Sequence, residues 1–128
     1  YPVVDRVASA MNEKRKSVNG SSILILGVAY KPDVDDMRES PALKILELLK
    51  ARGARLLYND PYVPVLPATR KHAFELKSSA LTPDVIDAVD CVLVVTDHKD
   101  VDYALVAEHA DLIVDTRNAV PGAQVVRA

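Results

Sequence analysis

The run Ile23-Leu24-Ile25-Leu26 most constrains this chain. Four apolar residues without alternation fit a strand covered on both faces, as in the parallel sheets of α/β domains. A polar connection of unusual length follows: Gly27-Val28-Ala29-Tyr30-Lys31-Pro32-Asp33-Val34-Asp35-Asp36-Met37-Arg38-Glu39. Ser40 and Pro41 then mark a helix start, an N-cap followed by proline at the first helical position. A long charged connection at the carboxyl end of a buried strand is kept mostly where it binds something.

Around this centre the chain alternates. Val4, Val7, Ala8 and Met11 recur at helical spacing and predict an amphipathic helix over 2–16, punctuated at Asn19-Gly20. Ala42, Ile45, Leu46 and Leu49 form an apolar stripe stopped by Gly53, and Ala54-Arg55-Leu56-Leu57-Tyr58 reads as a strand ending at Asn59-Asp60-Pro61. Strand, helix and strand at this spacing make a parallel crossover unit. Pro61, Pro64 and Pro67 interrupt the stretch 61–80, where His72-Ala73-Phe74-Glu75-Leu76 is a candidate short strand. Thr82 and Pro83 open a helix to about 89. Cys91-Val92-Leu93-Val94-Val95 is a second buried strand, closed by Thr96-Asp97-His98. A helix over 103–110 precedes Leu112-Ile113-Val114, the last clear strand, which ends at Asp115-Thr116-Arg117-Asn118. The expected fold is α/β, a three-layer Rossmann-like domain with a mostly parallel sheet, preceded by an N-terminal helix.

A formal net charge of −2 shows neither a nucleic-acid footprint nor a polybasic membrane surface, and no apolar run approaches a membrane span. Lys14-Arg15-Lys16 falls where a helix should end, a favourable place against the helix dipole. The single cysteine excludes an internal disulfide and fits a reducing compartment, so a cytoplasmic location is expected. The chain opens at Tyr1 directly in a helical pattern, which suggests a piece of a longer polypeptide.

In a parallel sheet the binding crevice lies outside the carboxyl ends of the strands. The residues leaving those ends are Tyr30 and Lys31, Asp60, Asp97 and His98, and Asp115 and Arg117. Lys31 and Arg117 leave separate strands, and an ammonium with a planar fork suits an anion such as a diphosphate. Asp33, Asp35 and Asp36 offer Lys31 a local alternative. Arg38 stands just ahead of a helix N-terminus, where a cation is mildly unfavourable and an external anion would offset it. The aspartates lack the spacing, glycine and closing glutamate of a calcium loop, so no metal is expected. His98 has no partner at metal-ligand spacing and points to a structural or hydrogen-bonding role. Cys91 opens an apolar strand, which predicts an inert thiol.

Gly27 stands alone, with neither G-x-G-x-x-G nor a P-loop after it, so a backbone-cradled dinucleotide site is not expected. No serine elbow or paired catalytic carboxylates stand out, and no catalytic residue is assigned. Unaided, the residues define an α/β domain for an anionic, phosphorylated ligand. The alternative is a stand-alone flavodoxin-like or receiver-type regulatory or nucleotide-binding module. For a receiver the acidic group Asp33, Asp35 and Asp36 comes several residues late, and Asp60 is the only near match to a phosphorylated aspartate.

The stretch from Gly27 through Pro41-Ala42-Leu43 closely resembles the signature of the C-terminal, sugar-nucleotide-binding domain of the UDP-glucose/GDP-mannose dehydrogenase family. The likeness continues through Tyr58-Asn59-Asp60-Pro61-Tyr62-Val63-Pro64, Val95-Thr96-Asp97-His98 and Val114-Asp115-Thr116-Arg117-Asn118. It implies residues 1–20 as the end of an inter-domain helix with its linker, and 21–128 as the nucleotide-sugar-binding domain. It also implies an NAD-dependent oxidation of the sugar C6 hydroxyl to a carboxylate through a cysteine-bound intermediate. That cysteine and the NAD-binding fold belong to parts of the family outside this sequence, so the chain is expected to bind but not to turn over. Tyr30 and Lys31 match a pair that contacts the UDP-sugar, Arg117 an arginine that contacts substrate, and Arg38 one that reaches toward the cofactor. The implied partners are the N-terminal and central domains and, for the whole enzyme, a second copy. The Thr-Asp-His and Asp-Thr-Arg-Asn forms look more like dehydrogenases of UDP-N-acetylhexosamines than of UDP-glucose.

Overall fold

The structure is a computed structural model that describes residues 1–29, 41–66, 76–122 and 125–128. Its main sheet contains β1 (Ser22–Leu26), β2 (Arg55–Asn59), β5 (Cys91–Val94), β6 (Ile113–Asp115) and β7 (Val126–Arg127). Every neighbouring pair is parallel, and the spatial order is β2-β1-β5-β6-β7. A small antiparallel ribbon joins β3 (Val65–Leu66) to β4 (Leu76–Lys77). The helices are α1 (Pro2–Glu13), α2 (Pro41–Ala51), α3 (Pro83–Ala88) and α4 (Tyr103–His109).

The pleat of β1 divides the core in two. Ile23 and Ile25 join Val4, Val7, Met11, Ile45 and Leu46, and so face α1 and α2. Leu24 and Leu26 join Ile86 and Val106, and so face α3 and α4. All four strand residues are fully buried, which is why the run shows no alternation. The expected three-layer α/β domain, mostly parallel and led by a helix, is the one observed. Counting only the main sheet, the order is that of a doubly wound domain, with its topological switch between β1 and β5.

Local signals account for most boundaries. Thr82 Oγ1 accepts the Val85 N–H at 3.3 Å and Asp102 Oδ1 accepts that of Leu105 at 3.0 Å, capping α3 and α4. The helix predicted over 2–16 ends earlier, at Glu13. Arg15 takes the left-handed backbone (φ 58), the Lys16 N–H donates to Met11 O and the Arg15 N–H to Asn12 O. This is a Schellman stop without its usual glycine. It releases Lys16 to bond Asp90 at 3.2 Å and Asp111 at 2.9 Å, so its charge serves the loops ahead of β5 and β6 rather than the helix end. Two strands went unforeseen, β3 and β7. The candidate strand over 72–76 is described only at Leu76, which pairs with Leu66; the Ser40 cap lies outside the described residues.

Candidate nucleotide edge of the sheet

At the carboxyl end of β1 the chain must pass close to that of β5. Gly27 does so at φ +83, and a Cβ there would strike the backbone oxygen and side chain of Thr96. Only glycine fits this crossing. Its missing side chain makes room for the protein's own backbone, not for a ligand, so Gly27 is no dinucleotide cradle. Beyond it, Thr96 Oγ1 donates to Ala29 O at 2.6 Å.

Asp60, leaving β2, is buried with 1% exposure. Its Oδ2 accepts the N–H groups of Val28 at 2.8 Å and Ala29 at 3.1 Å, and His98 Nε2 lies 2.9 Å away. Oδ1 accepts the Tyr62 N–H at 2.8 Å. One carboxylate thus joins the exits of β1, β2 and β5. The Tyr62 ring tilts against His98 with centroids 4.8 Å apart, and its hydroxyl donates to Asp100 at 2.8 Å.

Asp115 does the same for the next exit. Its Oδ1 accepts the Arg117 N–H, and its Oδ2 accepts those of Ala119 and Val120 and the Arg127 guanidinium at 2.7 Å. The turn places Asn118 at φ 57, a conformation asparagine tolerates. Arg117 therefore leaves the sheet on a fixed backbone, with its side chain half exposed and its Nε 3.2 Å from Asp97 Oδ1. A guanidinium held at the rim by one exposed carboxylate can exchange it for another anion.

Of the residues singled out from sequence, Asp60, Asp97, His98, Asp115 and Arg117 all lie at this edge, as expected of a parallel sheet. Tyr30, Lys31 and Arg38, and with them Asp33, Asp35 and Asp36, lie outside the described residues. His98 has the hydrogen-bonding role its isolation implied. Cys91 is buried, and burial pushes its thiol up to about 12, so it is no nucleophile. Sequence reasoning missed what Asp60 and Asp115 do. An Asx turn was the available signal for Asp115; nothing local signals the reach of Asp60 to Val28. Among the described residues no cluster of three metal-ligating side chains forms, and no helix is long and apolar enough to cross a membrane.

A separate open groove of about 560 Å³ lies at the opposite, amino-end edge, lined by Asn12, Lys16, Asn19 and Arg52 among others. Its lysine is engaged by Asp90 and Asp111, and Arg52 by Asp5.

Switch-point order and a carboxyl rim organised by two buried aspartates define a doubly wound, ligand-binding α/β domain. Residues 24–122, from β1 past the Arg117 turn, match the UDP-glucose/GDP-mannose dehydrogenase family, UDP binding domain. The chain belongs to that family. It is 35% identical over 95 residues to a UDP-N-acetyl-D-mannosamine dehydrogenase of Campylobacter jejuni, covering 73% of this chain and 23% of that protein. It is 34% identical over 110 residues to the UDP-glucose 6-dehydrogenase YwqF of Bacillus subtilis, covering 79% and 24%. A solved NDP-N-acetyl-D-galactosaminuronic acid dehydrogenase of Methanosarcina mazei shares the fold, with a TM-score of 0.76 at 24% identity over 98% of this chain and 28% of the other. The chain thus spans about a quarter of the length of these relatives.

Proposed function

We propose that this chain is the UDP-sugar-binding, C-terminal domain of an NAD-dependent nucleotide-sugar 6-dehydrogenase, and that residues 1–20 connect it to the rest of the enzyme. The observation that carries this reading is Arg117, presented half exposed at the carboxyl rim beside the switch point of a chain that belongs to the UDP-binding family. Arg117 and Lys31 grip the diphosphate, Tyr30 contacts the nucleotide sugar, and Arg38 reaches toward the cofactor. Across the whole enzyme the sugar C6 hydroxyl is oxidised to a carboxylate with two hydrides passed to NAD, through a cysteine supplied by another part. Burial of Cys91 supports that division, and this chain alone binds without turning over. Its substrate class is a UDP-hexose or UDP-N-acetylhexosamine, and the whole enzyme works in the cytoplasm as a homodimer.

The receiver-type alternative requires an accessible aspartate. Asp60 is buried, and its two oxygens already meet four donors, so acetyl phosphate should not label it. Calorimetric titration with UDP and UDP-sugars tests the proposal. UDP binding is expected, weakened about tenfold by Arg117→Ala or Lys31→Ala and weakened by added salt. Affinity unchanged in both variants, or magnesium-dependent labelling of Asp60, would overturn it.

A further inference from the structure

We propose that His98, acting through Asp60, is a positioning residue for nucleotide binding, holding the Val28–Ala29 backbone from which Tyr30 and Lys31 follow. The inference deepens the reading above and rests on it.

The side chains of His98 and Asp60 are both fully buried, so neither is offered to solvent at the rim. What they share is Oδ2, on which the Val28 and Ala29 N–H groups also converge. A peptide N–H can only donate, so Oδ2 already serves as acceptor twice, and it completes the set when the imidazole donates through Nε2. A carboxylate oxygen accepts, so the imidazole donates here in the tautomer that carries its proton on Nε2.

The arrangement clamps one residue from two sides. Ala29 N–H goes to Asp60, from the exit of β2; Ala29 C=O receives Thr96 Oγ1, from the exit of β5. His98, two residues beyond Thr96, then ties the β5 exit back to the same carboxylate. A buried carboxylate that loses one donor draws on those that remain or admits water. Either response moves Val28 and Ala29, and ordering them again on binding costs affinity. A leucine at position 98 fills similar space and donates nothing. A glutamine carries an N–H donor near the place of Nε2.

The test measures UDP affinity by calorimetry and amide hydrogen exchange at Val28 and Ala29, on the full chain and its variants. His98→Leu is expected to weaken UDP binding about tenfold and to speed exchange at both amides. His98→Gln is expected to restore both to within about twofold of the unsubstituted chain. His98→Asn, which withdraws the amide from Asp60, replaces the leucine variant if that one does not fold. Lys16→Met, at the opposite edge, serves as the control: it lowers the melting temperature and leaves UDP affinity unchanged. Full affinity in His98→Leu, or equal losses with leucine and glutamine, would overturn the positioning role alone. Failure of the unsubstituted chain to bind UDP would overturn both this inference and the reading beneath it.

Discussion

Arg117 Nε donates to Asp97 Oδ1 across 3.2 Å, joining the exits of β6 and β5 at the solvent edge. With the two side chains 49% and 35% exposed, the pair contributes little to stability, on the order of 0–1 kcal/mol. Asp97 instead competes with any anion that Arg117 would bind. Asp97→Asn is expected to leave stability within about 0.5 kcal/mol and to raise UDP affinity about threefold, most clearly at low salt. Titration calorimetry at two ionic strengths checks it; unchanged or weaker binding at both would show that Asp97 does not compete.

Gly27→Ala puts a methyl group against the Thr96 backbone at a φ of +83. The conformational strain alone is worth about 1–3 kcal/mol, and the clash adds to it. Urea unfolding should lose at least about 2 kcal/mol. A loss below about 0.5 kcal/mol would mean that β1 and β5 can separate freely at this end.

Asp115→Asn exchanges a buried acceptor pair for one acceptor and one donor, facing three N–H groups and Arg127. The expected cost is about 2–3 kcal/mol by urea unfolding, with faster amide exchange at Ala119 and Val120. Arg127→Met should cost less, because that guanidinium is 42% exposed and leaves the three backbone donors satisfied. The reverse ranking would place the turn's stability in the ion pair.

Asp90 is held below the usual carboxylate range, first by the Ser22 N–H and then by Lys16. Because its folded value is depressed, its contribution is complete above the unfolded value near 3.8 and is lost as pH falls through the folded one. Because solvent screens a carboxylate this exposed, Asp90→Asn should be less stable than the original chain by no more than about 0.5–1 kcal/mol near neutral pH, with the gap closing below about pH 4. Chemical denaturation at a series of pH values checks this; a constant gap from about pH 7 to about pH 2 would contradict it.

What could be read from sequence was what depends on neighbours along the chain. The buried runs of β1 and β5, the stripe of α2 and the Thr82-Pro83 start of α3 are local patterns. Once those strands are parallel, Arg117 must emerge at the carboxyl edge. Two-residue strands such as β3, β4 and β7 leave no period to detect. The roles of Asp60 and Asp115 were hidden for a different reason. Val28 and His98 lie 32 and 38 positions from Asp60, and nothing near Asn59-Asp60-Pro61 announces either. The partners of Lys16 were hidden likewise, since Asp90 and Asp111 lie 74 and 95 positions away.

The strict alternation of β1 between two helical layers limits how this chain can change over generations. Replacing Ile23 or Leu26 with another aliphatic residue swaps like for like within one layer. Adding or deleting a single residue ahead of Gly27 would send every following side chain to the wrong layer and carry the glycine out of its crossing with Thr96. Descendants of this sequence can therefore vary the letters of β1 but not their number.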